Sequence, residues 1–249
     1  VWVPTDMVGL SGAREAYEAD LTRLRDAGAN MVRVPGIATY EAEAFHDLCD
    51  ELGLLVWQDL MFANFDYPAA DPDFVALAVA EARQVAECLA RHPSSAVVCG
   101  GSEITQQAAM MGLPPARWDN PLFDEILPAV VAEAAPDLAW LRSTPDGGEM
   151  PFVADTGVTH YYGVGAYGRP LDDARRANVR FAAECLAFAC VPEAKTVAER
   201  LAVPPVHSPA WKAGVPRDLG VGWDFEDVRE IYERMVFRID PPALRYADP

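Results

Sequence analysis

The chain has 249 residues, 51% of them hydrophobic, and a formal net charge of -18 at neutral pH. This size allows one large hydrophobic core, and the acidic balance argues against nucleic acid and anionic membranes as partners. No stretch approaches the roughly 18 uninterrupted apolar residues of a membrane helix, and we see no signal-peptide pattern in the opening residues. Since its first residues are "VWVPTD" without Met, we expect it to be a piece of a longer protein.

Amphipathic helices alternate with short apolar strands along the chain. Helical periodicity predicts helices at 12–27, 41–51, 72–91, 120–135 and 224–237. Apolar runs between turn residues predict strands at 29–34, 52–61, 95–103, 137–144, 157–162 and 178–188. Asp71 and Pro72 fit a capping residue followed by proline at the first helical position.

This alternation predicts an α/β fold with a parallel sheet covered on both faces. Two architectures compete, an open doubly wound sheet and a (β/α)8 barrel. No glycine-rich phosphate loop follows a strand, which argues against the nucleotide-binding kind of doubly wound fold. Polar residues at several strand ends favour the barrel, in which such ends converge on one site. These residues are Asp6, Arg33, Asp59, Glu103, His160 and Glu184.

The cysteines and histidines predict neither disulfides nor a metal site. The five cysteines are odd in number and show no CxxC pair or Cys/His ligand spacing, and the four histidines are scattered. We therefore expect buried free thiols in a reducing compartment, with a cytoplasmic location.

Five segments, in this order, resemble family 2 glycoside hydrolases of the β-mannosidase branch. They are "VWVPTD" (1–6), "YEAEAFHDLCDELGLLVWQDLMFANFDYP" (40–68), "RHPSSAVVCGGSE" (91–103), "THYYGVGAYGRPLDD" (159–173) and "VRFAAECLAFACVPE" (179–193). The resemblance implies a (β/α)8 TIM barrel whose first strand is 1–6 and which is truncated before its eighth strand. It also implies that 1–249 is one catalytic-type domain, without the β-sandwich domains that precede the barrel in this family.

The resemblance implies a retaining, exo-acting β-glycosidase that attacks terminal non-reducing β-linked sugars of a glycoside or oligosaccharide, with no metal or organic cofactor. Glu103 matches the general acid/base and Glu184 the nucleophile, and such carboxyl groups lie about 5–5.5 Å apart. We expect apolar surroundings to raise the pKa of Glu103, and Arg33 or a hydrogen-bonding tyrosine to keep Glu184 ionised. The alternative for both glutamates is an exposed loop charge. Gly100 and Gly101 would let the backbone turn at the barrel rim.

Other residues match substrate-binding positions, each with a simpler structural alternative. Asp59 would bind sugar hydroxyls or cap a loop, and His160 would line the site or sit in the core. Arg33 would hold the nucleophile or pair with another carboxylate, and Asp6 would bind sugar or cap. Trp57 is interpreted as a core residue.

Several positions depart from the family pattern. Ser102 stands where the family has asparagine, Tyr162 where it has tryptophan, and Cys185 where it has phenylalanine. Pro35–Ala38 stand in place of an aromatic sugar wall. These departures keep open a second hypothesis, a degenerate carbohydrate-binding barrel or a glycosidase of altered sugar specificity.

Overall fold

The computed structural model describes residues 1–6, 8–10, 12–185, 195, 199, 206–215 and 222–239. The chain divides into two compact units. The first comprises Val1–His160 and Val179–Ala183, and the second comprises Tyr161–Asn178 and Glu184–Pro249. No helix among the described residues is both long enough and apolar enough to cross a membrane.

A four-stranded parallel sheet organises the first unit. Its strands are β1 (Met31–Val34), β2 (Leu55–Asp59), β3 (Ser95–Cys99) and β4 (Ala139–Leu141). They are ordered β1-β2-β3-β4, and all three neighbouring pairs are parallel. Two later strands, β5 (Val158–Tyr161) and β6 (Phe181–Cys185), pair in a two-stranded sheet. The predicted α/β fold with a parallel sheet is confirmed.

Helices connect the strands much as the periodicity predicts. They are α1 (Arg14–Asp26), α2 (Glu43–Leu52), α3 (Pro72–Leu89), α4 (Ile104–Met110), α5 (Leu127–Ala134), α6 (Asp173–Arg176), α7 (Pro209–Gly214) and α8 (Phe225–Phe237). The predicted cap of α3 is confirmed, because the Asp71 carboxylate accepts hydrogen bonds from the backbone N–H groups of Asp73 and Phe74.

Two predictions are wrong in detail. Residues 1–6 do not form a strand. Trp2 N–H donates to the Arg33 carbonyl at 2.6 Å, and Pro4 has no N–H with which to extend a ladder. The helix predicted at 120–135 begins with a π-helical turn, Leu122–Ile126, before α5. Pro128 cannot donate to the carbonyl four residues earlier, so a regular α-helix loses a hydrogen bond there.

Two buried clusters flank the sheet of the first unit. One joins β2 and β3 to α3 and α5 through residues such as Leu60, Val98 and Leu127. The other joins β1 and β2 to α1 and α2 and contains Tyr17 and Phe45. Each fully buried apolar side chain contributes about 1.5–3 kcal/mol, so these clusters fix where the strands end.

The described helices of the second unit form a smaller packed element. Trp211 of α7 packs against Phe225 of α8, with ring centroids 5.8 Å apart. Asp224 and Asp227 form a capping box at the start of α8, and Lys212 donates to both carboxylates.

Candidate active site

The carboxyl ends of the parallel strands gather a buried polar network in the first unit. Arg33 lies in β1, Asp59 ends β2, and Ser102 and Thr144 follow β3 and β4. Ser102 bridges to Thr144 on one side and to Ala63 on the other, so the parallel pairing continues beyond the strands. Of the polar strand ends predicted to converge, Arg33 and Asp59 meet in this network, which also contains Ser102 and Thr144.

An ion pair between Arg33 and Asp59 forms the centre of this network. Arg33 Nη2 lies 2.7 Å from Asp59 Oδ2, and the side chains are only 5% and 0% exposed. The same guanidinium donates to the hydroxyls of Ser102 and Thr144, at 2.7 and 2.6 Å. Asp59 Oδ1 also accepts from the Trp57 indole at 2.8 Å. Each buried charge thus has hydrogen-bonding partners, which a buried ion pair requires.

These contacts bear on the structural alternatives for Arg33 and Trp57. Arg33 forms an ion pair with Asp59, and the Ser102 hydroxyl is hydrogen-bonded to both of them. Trp57 is a core residue, as predicted, because it is 3% exposed and stacks on Phe181. Sugar binding by Asp59, Arg33 or Ser102 stays a prediction.

Asp6 acts as a cap. It is an exposed residue, and its carboxylate accepts the N–H groups of Val8 and Gly9, the two bonds that lower the pKa of this side chain. Sugar binding by Asp6 also stays a prediction.

Gly100 and Gly101 are required for close backbone approach. A Cβ on Gly101 would lie 2.5 Å from the Phe62 carbonyl oxygen, and one on Gly100 would lie 2.3 Å from the Arg142 carbonyl oxygen. Neither glycine has a positive φ, so the requirement for glycine here comes from the close backbone approach, and the role in turning the backbone stays a prediction. Any side chain here would push apart the strand ends that position the next two residues.

Glu103 makes the turn itself. Its φ of 58° and ψ of 20° lie in the left-handed region, at the residue preceding α4. A non-glycine residue in this conformation is uncommon and clusters at functional sites. Its N–H donates to the Thr144 carbonyl at 2.6 Å, and its side chain is 24% exposed. The backbone thus presents a partly exposed carboxylate beyond the end of β3.

Three side chains surround the Glu103 carboxylate. His160 Nδ1, from β5, lies 3.0 Å from Oε1, and Gln106 Nε2 donates to the same oxygen at 3.0 Å. Gln107 Nε2 donates to Oε2 at 2.6 Å. The sequence analysis placed His160 in the site but missed both glutamines. Their positions three and four residues after Glu103, at the start of a helix, are the signal that could have found them.

These contacts lower the pKa of Glu103 below its ordinary value of 4.5. The hydrogen bond from His160 is the largest cause, and the amides of Gln107 and Gln106 add to it, against the opposing effect of burial. The expectation of a raised pKa is therefore wrong. The reason is that the carboxylate has three polar neighbours instead of an apolar wall.

Glu184 lies in the second unit, at the fourth residue of β6. Tyr162, in the same unit, donates its hydroxyl to Glu184 Oε2 at 2.5 Å. A hydrogen-bonding tyrosine was one of the two neighbours predicted for Glu184, and Arg33 was the other. A phenol that donates to a carboxylate favours its ionised form. Sugar binding by Tyr162 and His160 stays a prediction.

Comparison with known proteins relates the chain to β-mannosidases. No family model matches it. It is 31% identical over 177 residues to β-mannosidase B of Aspergillus flavus, which covers 66% of this chain and 21% of that protein. The β-mannosidase B of Thermothelomyces thermophilus is 31% identical over 180 residues, with the same two shares. The chain thus spans about a fifth of the length of the curated relatives it matches.

A solved structure extends this likeness to the fold. The crystal structure of the β-D-mannosidase from Dictyoglomus thermophilum matches with a TM-score of 0.66 at 32% identity, covering 73% of this chain and 22% of that one. Together with the five collinear segments, these likenesses show that the chain belongs to glycoside hydrolase family 2, as a divergent β-mannosidase-like domain.

Proposed function

We propose that this chain carries the catalytic centre of a retaining exo-β-glycosidase, built on a (β/α)8 barrel and acting on terminal β-linked sugars. The observation that carries the proposal is the Glu103 carboxylate, held in a left-handed turn at a strand end by His160 and two amides. Relatives that are β-mannosidases support a β-mannoside as the substrate.

The proposed reaction is a double displacement. Glu184 attacks the anomeric carbon while Glu103 donates its proton to the departing glycosidic oxygen, which leaves a glycosyl ester on Glu184. Glu103, now ionised, removes a proton from water, and the resulting hydroxide attacks the anomeric carbon and releases Glu184. The hydrogen bond from Tyr162 supports the ionised state that Glu184 needs as nucleophile.

The low pKa of Glu103 makes the first step the demanding one. A general acid must be protonated, and His160 with two glutamine amides stabilises the ionised form. We therefore expect kcat/KM for substrates with poor leaving groups to fall as pH rises through the pKa of Glu103, which lies below 4.5. Substrates with activated leaving groups need little protonation, so their kcat/KM should not decrease over this pH range.

The decisive experiment is hydrolysis of aryl β-mannoside, β-glucoside and β-galactoside by the full-length protein. Glu184→Gln should abolish turnover, and Glu103→Gln should lower it by about 10²–10⁴-fold. Glu51→Gln is the matched control, because Glu51 is an exposed carboxylate paired only with Arg14 in the described contacts.

Azide provides a sharper test of the two roles. In a Glu103→Ala variant with an activated aryl glycoside, azide should replace water on the glycosyl ester and restore turnover, giving a product of retained configuration. In Glu184→Ala, azide should attack the substrate directly and give the inverted product. Restored turnover with the opposite stereochemistry in either variant would reject the assignment.

A second candidate is a carbohydrate-binding domain without turnover. It is favoured by the engagement of the Ser102 hydroxyl with Arg33, at the position where the family has an asparagine amide. A folded wild-type protein that binds mannosides in calorimetry but hydrolyses none of the three aryl glycosides would establish this alternative.

A further inference from the structure

A second cluster of ligand-type side chains lies at the opposite end of β3 from Glu103. It joins the first residue of α2, Glu43, to Cys88 of α3 and to His92, which follows α3 and precedes β3. Cys88 and His92 are four residues apart, the spacing that brings side chains to one face at a helix end. The sequence predicted no Cys/His metal site, so a site at this pair would depart from that prediction.

His92 has the geometry of a metal-binding histidine. The residue is 6% exposed, and its Nδ1 lies 2.8 Å from Asp50 Oδ2. An ionised carboxylate only accepts hydrogen bonds, so Nδ1 carries a proton, and Nε2 is the ring nitrogen that remains for a metal. The Ser94 N–H donates to the other oxygen of Asp50 at 2.8 Å and fixes that carboxylate. A histidine that binds a metal usually donates its other ring N–H to a carboxylate, which holds the imidazole in the orientation that the metal requires.

The Nε2 atom of His92 is buried and has no hydrogen-bond partner among the described residues. A buried polar atom without a partner is costly, and a bound ion is one way to satisfy it. Nε2 lies 3.6 Å from Glu43 Oε1, and Cys88 Sγ lies 3.9 Å from Glu43 Oε2. One ligand atom from each of the three side chains lies within 4.8 Å of the others.

These separations suit a tetrahedral ion. Zinc bonds of about 2.0–2.3 Å separate neighbouring ligand atoms by roughly 3.3–3.8 Å, so small side-chain rotations would close the site. A thiolate with an imidazole selects zinc over magnesium or calcium, which prefer oxygen ligands. Arg91 competes for Glu43 at 3.3 Å, but both side chains are more than half exposed, and such ion pairs are weak.

We propose that Glu43, Cys88 and His92 form a zinc-binding site that ties α2 to the end of α3, with Asp50 as the positioning residue for His92. Water completes the coordination. Zinc binding replaces the thiol proton of Cys88, which is released to solvent, and involves no change of oxidation state. The site is separate from Glu103 and does not depend on the proposed glycosidase activity.

The test uses the full-length protein stripped of metal, titrated with zinc in a calorimeter and with cobalt in a spectrophotometer. We expect one zinc per chain and a thiolate-to-cobalt charge-transfer band in the near ultraviolet. Cys88→Ser should remove this band, while Cys185→Ser, at an exposed cysteine, should keep it. Glu43→Gln should weaken binding, whereas Glu51→Gln on the same helix should not.

Asp50→Asn tests the positioning role, since loss of such a partner lowers metal affinity by about 10–100-fold. Far-ultraviolet circular dichroism checks that each variant is folded, and Cys88→Ser is nearly isosteric at a half-buried position. The absence of a thiolate band in the wild-type protein would overturn the proposal. So would a band that survives Cys88→Ser or disappears in Cys185→Ser.

Discussion

Asp59→Asn is expected to destabilise the protein severely although it changes the shape of the side chain very little. Asp59 is fully buried, and every polar contact it makes in the described structure is with a donor. Oδ1 accepts from Trp57 and Arg33, and Oδ2 accepts from Arg33, Ser102 and the Gly36 N–H. Whichever way the asparagine amide turns, its NH2 group therefore faces at least two donors.

The expected loss is about 3–5 kcal/mol in the free energy of unfolding, the usual cost of removing one partner of a buried ion pair. Arg33 would keep its charge at 5% exposure after losing its carboxylate partner, while it still donates to the hydroxyls of Ser102 and Thr144. Since domains are stable by about 5–15 kcal/mol, this loss is a large share of the total.

The assay is urea unfolding followed by tryptophan fluorescence, to which Trp57 contributes directly. The double variant Arg33→Met with Asp59→Asn should lose much less than the sum of the single losses, because neither charge is then left alone. Glu51→Gln is the surface control and should change stability by less than about 1 kcal/mol. A loss below about 1 kcal/mol in Asp59→Asn, or additive single losses, would refute the reasoning.

Three further changes test other features. In Gly101→Ala the new Cβ would lie 2.5 Å from the Phe62 carbonyl oxygen, so thermal unfolding should show a loss of about 1–3 kcal/mol in the free energy of unfolding. In the control Gly214→Ala the new Cβ has no neighbour within 4 Å, so no measurable loss of stability is expected. Asp71→Ala removes the cap of α3 and should cost about 1 kcal/mol in urea unfolding. The folded pKa of Glu103 lies below 4.5, so its ionised form contributes stability above that pH, and this contribution disappears as pH falls through the folded value. Urea midpoints for wild type and Glu103→Gln should therefore converge in acid; equal separation at every pH would contradict this.

Periodicity and capping chemistry predicted most of the fold because both act over a few residues. The strand predicted at 52–61 is observed as Leu55–Asp59, and the helix predicted at 224–237 is observed as Phe225–Phe237. The observed strands are shorter than the predicted ones because the apolar sequence continues beyond the strand into buried loops. Leu60, for example, follows β2 and is fully buried. The prediction of a strand at 178–188 is met by Phe181–Cys185, and residues 186–188 lie outside the described residues.

The site was predicted less completely, because its geometry depends on contacts between distant residues. Sequence placed Arg33 and Asp59 at strand ends, but their pairing follows only from the parallel register of β1 and β2. The lowered pKa of Glu103 was missed for a local reason, since the two glutamine donors lie on the helix that Glu103 itself begins. An acidic residue at a strand end should therefore be interpreted together with the first turn of the helix that follows it.

The position of Glu103 is set by backbone contacts that the family departures leave intact. Gly101 allows the chain to approach Phe62, and Ser102 then bridges to Ala63 and Thr144 through main-chain pairing. The N–H of Glu103 completes this by donating to the Thr144 carbonyl. A serine in place of the family asparagine changes the polar group offered beside the carboxylate but none of these backbone bonds. Under the proposed function, sugar recognition would therefore diverge at Ser102 while the Glu103 carboxylate keeps its position.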